Sequence, residues 1–121
     1  LDELTVSGPN RVSQLMPNGS VRTYELDPDK YGFSVEYSDD ALRGGIPSKN
    51  ATIMRKILEG DPNETRRDTV ILNAAAAIAT ETESMETALT EARQALASGA
   101  ALAKLNSLVE TSQRLAGENQ E

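Results

Sequence analysis

The chain contains neither cysteine nor histidine in its 121 residues. Disulfide bonds, thiolate nucleophiles, zinc sites of the usual ligand types and imidazole acid–base catalysis are therefore excluded for this sequence. Tryptophan is also absent, and aromatic residues make up only 3% of the chain. The core must therefore be built from alanine, leucine, isoleucine and valine, which bury little area per residue, and we expect one small domain at most.

Two further absences concern location and partners. No run of 18 or more apolar residues occurs, and the first residues lack the basic and hydrophobic regions of a signal peptide. The formal net charge is -7 at pH 7, whereas binding to nucleic-acid phosphates needs clustered lysine and arginine. We therefore expect a cytoplasmic protein that binds neither a membrane nor a nucleic acid.

The first part of the chain has the pattern of β-structure. Two short segments with several β-branched and aromatic residues, 11–16 and 21–26, flank the sequence Pro17-Asn18-Gly19-Ser20. Asn-Gly between such segments favours positive φ angles and a tight hairpin turn. The sequence therefore predicts a β-hairpin, followed by short helical turns near residues 29–31 and 39–43.

From residue 48 onward, apolar residues recur at helical spacing and predict four amphipathic helices. Asn63 or a nearby residue is the predicted N-terminal cap of the second helix, and Ser84 that of the third. Three glycines, Gly60, Gly99 and Gly117, are predicted to lie at helix ends. Each helix carries one apolar stripe that we expect to pack into the core. The four stripes are Ile53, Met54, Ile57 and Leu58; Val70, Ile71, Ala74, Ala75 and Ile78; Met85, Ala88, Leu89, Ala92 and Leu96; and Ala101, Leu102, Leu105, Leu108 and Val109.

Six stretches of the chain carry a resemblance to a known family. They are LDELTVSGPNRV (1–12), ELDPDKYGF (25–33), LRGG (42–45), KNATIMRKILEG (49–60), RRDTVILNAAAAI (66–78) and SGAALAKLNSLV (98–109). In this order and spacing they resemble the C-terminal part of the α/β domain of the anthranilate phosphoribosyltransferases. These glycosyltransferases of tryptophan biosynthesis join anthranilate to phosphoribosyl pyrophosphate. The implied fold class is α/β, with residues 1–33 strand-rich and 48–116 helical within one partial domain of residues 1–121.

The resemblance also implies parts that these 121 residues do not contain. The family's glycine-rich pyrophosphate loop, its Lys-His-Gly-Asn stretch, its anthranilate-binding arginine and its helical domain have no counterpart here. We therefore expect the chain to be a segment of a longer enzyme and to be inactive alone. The sites for phosphoribosyl pyrophosphate and anthranilate would lie mostly upstream, and the complete enzyme would be a homodimer.

The resemblance assigns a metal site to Asp2 and Glu3, which match the adjacent Asp-Glu pair that serves Mg²⁺ in the family. Mg²⁺ binds hard oxygen ligands, usually one or two carboxylates together with waters and substrate phosphates. Adjacent side chains in extended backbone point to opposite sides, so the pair suits a loop, or two metals bridged by the substrate. Without the resemblance, the same pair is typical of a solvated acidic terminus.

Other polar residues favour structural roles, and none is assigned as a catalytic or substrate-binding group. Gly44 and Gly45 could form an anion-binding nest, but a turn is favoured. Lys49 and Asn50 could hold an anion at a helix start, but capping is favoured. The remaining candidates also favour structural roles: surface ion pairs for Arg66 and Arg67, the edge of a buried stripe for Lys104, and a helix start for Asp39 and Asp40.

Two other functions remain open at this point. A fragment of an enzyme related to pyrimidine-nucleoside phosphorylases would share the fold, although the LDEL start and the alanine-rich helices resemble the anthranilate enzymes more closely. A non-catalytic helical module would use its alanine and leucine faces to bind a partner. Apolar stripes at helical spacing are usually core, which favours the enzyme.

Overall fold

A computed structural model of the chain describes residues 3–33 and 39–118. A two-stranded hairpin is followed by short helical turns and four helices, which confirms the predicted fold class. The elements are β1 (Asn10–Leu15), β2 (Val21–Leu26), 3-10 turns at Pro28–Tyr31 and Asp39–Leu42, α1 (Pro47–Leu58), α2 (Glu64–Thr82), α3 (Met85–Ala97) and α4 (Ala100–Glu118).

The hairpin is antiparallel, with Leu15 opposite Val21 at its tip. The Gly19 N–H donates to the Met16 carbonyl at 2.9 Å, and the Met16 N–H donates to the Ser20 carbonyl at 2.8 Å. Within this turn only Gly19 has a positive φ, of 81°. The expected tight Asn-Gly turn is therefore wrong in detail, because Pro17 fixes a negative φ at the first loop position and favours a three-residue loop that ends in a left-handed glycine.

The core lies between the hairpin, α2 and α3. Leu72 of α2 and Phe33, which follows the first 3-10 turn, are 0% and 1% exposed, and alanines on α2 and α3 let the two helices approach closely. The buried apolar residues of this cluster are Val6, Leu26, Phe33, Ile71, Leu72, Ala75, Ala88, Leu89 and Ala92. The predicted stripe of α3 is confirmed. The predicted stripe of α2 is wrong at Val70, which is exposed, and it lacks Leu72, which is fully buried.

The ends of the helices follow local sequence signals. The Asn63 side chain accepts from the Arg66 N–H at 3.1 Å, and the Ser84 hydroxyl accepts from the Thr87 N–H at 3.3 Å, so both predicted caps are confirmed. Gly99 separates α3 from α4 with a φ of 75°. Gly117 lies one residue before Glu118, the last described residue of α4, so it is near a helix end as predicted, although its φ is not left-handed.

The predicted burial of the stripes on α1 and α4 is wrong. On α1 only Ile57 is buried, and Met54 is 52% exposed. On α4 the Leu108 side chain is 64% exposed, and every side chain from residue 106 to residue 117 is exposed. The physical reason is that α4 packs mainly on α3 and α1, and the described residues place no further element over its second half. Within residues 3–33 and 39–118, no helix has the length and apolar character needed to cross a bilayer.

Candidate functional site

The predicted metal ligands fall at the start of the chain. Asp2 lies outside the described residues, so its position remains a prediction. Glu3 is described, and its side chain is exposed on an open groove of about 490 Å³. The residues that line this groove are Glu3, Leu4, Thr5, Pro9, Asn10, Arg11 and Asn73.

Asn73 of α2 holds the backbone that follows Glu3. Its Oδ1 accepts from the Leu4 N–H at 2.9 Å, and its Nδ2 donates to the Leu4 carbonyl at 2.9 Å. The same Nδ2 donates to the Thr69 carbonyl, one turn earlier in α2, at 2.9 Å. The carboxamide therefore has a fixed orientation on the helix and contacts both polar backbone groups of Leu4.

Asn10, at the start of β1, holds the next residue in the same way. Its Oδ1 accepts from the Thr5 N–H at 2.8 Å, and its Nδ2 donates to the Thr5 carbonyl at 2.9 Å and to the Gly8 carbonyl at 3.2 Å. Asn10 is only 8% exposed. A carboxamide offers both donors and an acceptor, so one side chain satisfies the N–H and the carbonyl of one residue.

The segment is also anchored by apolar packing. Val6 is 2% exposed within the core, and Leu4 packs against the same cluster. The backbone between the acidic pair and β1 is therefore held by two asparagines and by the core. Neither Asn10 nor Asn73 is assigned a role from the sequence, because nothing in the spacing indicates that Asn73 contacts a residue 69 positions away. The one available signal was a polar asparagine within the apolar run of α2.

The donor chemistry at Glu3 fits a hard cation. Glu3 has no ion-pair partner within residues 3–33 and 39–118, so its carboxylate is available to a ligand in the groove. The same residues contain no cluster of three or more acidic side chains that could hold a metal by themselves. Mg²⁺ commonly takes one or two protein carboxylates and fills its remaining positions with water and substrate phosphate, which is compatible with Glu3 and its neighbour Asp2.

Gly44 and Gly45 lie in an irregular loop before α1, without the hydrogen-bonded turn that the sequence favours. The Gly45 N–H donates to the Asn50 Oδ1 at 2.7 Å, and the Asn50 Nδ2 donates to the Gly45 carbonyl at 2.9 Å. Asn50 thus occupies the N–H that an anion-binding nest would use. The prediction that Lys49 or Asn50 caps α1 is wrong, because the N-terminal cap is Ile46, which has no side-chain hydrogen bond there, and Asn50 turns back to the loop instead.

Arg66 and Arg67 form the predicted ion pairs. The Arg67 Nε lies 3.2 Å from the Asp68 Oδ1, and the Arg67 Nη2 lies 3.8 Å from the Glu64 Oε1. The Arg66 Nη1 lies 4.0 Å from the Asp61 Oδ2. Asp68 is only 8% exposed, so these ion pairs are more buried than the predicted surface pairs. Lys104 is exposed on α4, beside a stripe that is itself only partly covered.

A second groove lies beside Phe33, where the Arg93 guanidinium stacks 5.3 Å from the centre of the Phe33 ring. Arg93 also donates to the Tyr31 carbonyl at 3.2 Å. The pKa of the Tyr31 phenol is raised from its ordinary value of 10.0, first by burial and then by the negative charge of Glu86 and the proximity of Tyr24. This region shares no lining residue with the Glu3 groove.

The chain is similar in sequence to known proteins. The chain is 42% identical over 119 residues to the anthranilate phosphoribosyltransferase of Rubrobacter xylanophilus, an alignment that covers 97% of this chain and 34% of that relative. It is 43% identical over 114 residues to the enzyme of that name from Roseiflexus castenholzii (93% of this chain, 33% of the relative) and 41% identical over 119 residues to that from Chromobacterium violaceum (97% and 34%). The chain thus spans about a third of the length of these relatives. Residues 1–102 match the a/b domain of the glycosyl transferase family, and the chain therefore belongs to that family.

Proposed function

We propose that this chain is the C-terminal segment of an anthranilate phosphoribosyltransferase, in which Asp2 and Glu3 bind Mg²⁺. The observation that carries the proposal is the similarity of at least 41% identity along nearly the whole chain to relatives of that name. The exposed Glu3 carboxylate on an open groove supports the metal role. The enzyme would act in tryptophan biosynthesis, as a cytoplasmic homodimer.

In the proposed reaction, the amine nitrogen of anthranilate forms a bond to C1 of the ribose, the bond from C1 to the pyrophosphate oxygen breaks, and the amine loses one proton. Bound Mg²⁺ would supply positive charge where negative charge develops on the departing pyrophosphate. Asp2 and Glu3 would contribute the protein carboxylates at this cation.

The rest of the chain would position these carboxylates and would not contact the reacting atoms. Asn10, Asn73 and Val6 hold the backbone next to Glu3, while α2 and α3 form the base to which that backbone is attached. The sites for the ribose and for anthranilate would lie mostly in the part of the relatives' length that this chain does not span.

The test uses a polypeptide of the relatives' length that contains this chain. The rate of anthranilate consumption, followed by fluorescence, is measured against Mg²⁺ concentration for the wild type and for Asp2→Asn and Glu3→Gln. Each variant should need about tenfold more Mg²⁺ or more for half-maximal rate, because a neutral side chain is a poorer ligand for a hard cation. Glu110→Gln is the matched control, since it removes an exposed carboxylate from the second half of α4.

The proposal is wrong if the Mg²⁺ dependence of Asp2→Asn and Glu3→Gln equals that of Glu110→Gln. The 121-residue chain alone should show no transfer activity in the same assay. Activity of this chain without further polypeptide would contradict the placement of the substrate sites upstream.

A further inference from the structure

We propose that Asn73 is a positioning residue for the metal-binding pair, acting through the backbone of Leu4. This inference rests on the proposed function, because it concerns the same carboxylates. Asn73 donates to and accepts from Leu4 without being a candidate ligand itself. Its role would be to fix the position of the Glu3 Cα atom, from which the side chain extends.

Each peptide group of the backbone is planar and rigid. The N–H of Leu4 belongs to the same rigid plane as the carbonyl of Glu3, so the hydrogen bond from this N–H to the Asn73 Oδ1 fixes that plane. The Leu4 carbonyl belongs to the next plane, toward Thr5, and donation from the Asn73 Nδ2 fixes this second plane. With both planes held, the direction of the Cα–Cβ bond of Glu3 depends on only one further backbone torsion.

Asn10 extends the same control toward the core. It accepts from the Thr5 N–H, which lies in the plane between Leu4 and Thr5, and donates to the Thr5 carbonyl, which lies in the plane toward Val6. The plane between Leu4 and Thr5 is therefore held from both sides. Val6 then anchors the segment by burial.

Asn73 is the member of this pair that links the segment to a separate element. Asn10 lies five residues from its partner, within one local loop, whereas Asn73 lies on α2 at a sequence separation of 69 residues. The bond from its Nδ2 to the Thr69 carbonyl prevents the carboxamide from rotating freely. Removing Asn73 would therefore release the acidic end of the segment from α2 and leave the Asn10 loop in place.

This arrangement predicts a specific defect in the Asn73→Ala variant. Alanine has a higher helix propensity than asparagine, so α2 should not be weakened. Both carboxylates would remain, but they would have to be ordered when the metal binds, which lowers affinity. We expect metal affinity to fall by about tenfold, at the lower end of the effect of residues that orient metal ligands.

The test measures Mn²⁺ binding to the polypeptide of the relatives' length, without substrates, from the loss of the electron paramagnetic resonance signal of free Mn²⁺. Mn²⁺ is a suitable probe because it shares the oxygen-ligand preference of Mg²⁺. Asn106→Ala is the matched control, because Asn106 is also a helical asparagine with a tertiary hydrogen bond, from the Arg55 Nη1 at 3.0 Å, on a different surface. The dissociation constant should rise about tenfold for Asn73→Ala and remain at the wild-type value for Asn106→Ala.

A kinetic measurement separates positioning from a general loss of structure. For Asn73→Ala the Mg²⁺ concentration at half-maximal rate should rise, while most of kcat returns at saturating Mg²⁺. A merely structural role would lower the melting temperature and the active fraction without moving the Mg²⁺ midpoint. If Asn73→Ala does not fold, Asn73→Gln replaces it in the test. Glutamine keeps the donor and the acceptor but displaces them by one methylene, so Asn73→Gln should also weaken metal binding.

The outcomes distinguish this inference from the proposed function. An unchanged Mn²⁺ affinity in Asp2→Asn and Glu3→Gln would overturn the metal assignment, and with it the role of Asn73. Weaker binding in those two variants, with wild-type affinity in Asn73→Ala, would overturn only the positioning role. Equal losses in Asn73→Ala and Asn106→Ala would also overturn it.

Discussion

The contrast between Leu72 and Leu108 gives a quantitative test of where the core of this chain ends. Leu72 is 0% exposed between α2 and its neighbours, whereas Leu108 on α4 is 64% exposed. Truncation of a fully buried leucine to alanine costs about 2–5 kcal/mol, from lost transfer free energy and the cavity that remains. We therefore expect Leu72→Ala to lower the free energy of unfolding of the 121-residue chain by about 3 kcal/mol and Leu108→Ala by less than about 0.5 kcal/mol.

The assay is urea denaturation of the 121-residue chain, followed by circular dichroism, with the slope of the free energy against urea compared among variants. An unchanged slope means that the shift in midpoint reports stability and not a change in the unfolded ensemble. Similar losses for Leu72→Ala and Leu108→Ala would contradict this boundary of the core, because they would mean that α4 is covered in solution.

Because exposed apolar stripes commonly mark contact surfaces, we expect a further element to cover the α4 stripe in a polypeptide of the relatives' length, where Leu108→Ala should behave differently. Burying the exposed part of this side chain against a further element is worth about 1–2 kcal/mol, which is then lost on truncation. A melting temperature unaffected by Leu108→Ala in the longer polypeptide would contradict coverage of the α4 stripe there.

Two further predictions concern single residues of the described fold. Glu83 ends α2 with a left-handed φ of 56°, which glycine adopts more readily than glutamate does. Glu83→Gly should therefore raise the free energy of unfolding by about 0.5–1 kcal/mol, as measured by thermal unfolding. Glu81→Gly, inside the helix, should lower it by about 1 kcal/mol. An equal effect of the two glycines would contradict the left-handed conformation. The pKa of the Tyr31 phenol is raised above 10.0 by burial and, to a smaller extent, by Glu86 and Tyr24. The folded chain therefore holds this proton more tightly than the unfolded chain does. The resulting contribution to stability is fully present below pH 10 and is lost as the pH rises through the raised pKa. Tyr31→Phe should therefore lose less stability than the wild type between pH 8 and about pH 11, and parallel pH profiles would contradict the shift.

The parts of the fold that depend on local sequence could be predicted. Val12 and Tyr24 mark paired strands, and Asn63 and Ser84 cap their helices through bonds to residues three positions away, so each signal lies within one short segment. Gly60 and Gly99, each with a left-handed φ, likewise mark helix ends within short segments.

The misplaced parts depend on neighbours that one helix does not specify. The stripe of α4 is apolar at the expected spacing, but Leu108 is buried only if another element lies over it. Likewise, the order of residues does not reveal that Asn73 reaches Leu4 across the fold, because a helical asparagine can equally well face solvent. The metal site at Asp2 and Glu3 therefore remains a prediction from the family resemblance, whereas the contacts of Asn73 and Asn10 with the adjacent backbone required the structure.

Each of the two asparagines beside Glu3 pairs with one backbone residue as a strand partner would, Asn73 with Leu4 and Asn10 with Thr5. Each carboxamide presents a donor and an acceptor like those of a peptide group, so Leu4 and Thr5 receive sheet-like pairing from two side chains. A full strand would run alongside the segment and continue past its acidic end. Two side chains satisfy the same backbone groups over a shorter length, and the Glu3 carboxylate thereby remains open to solvent and to ligands.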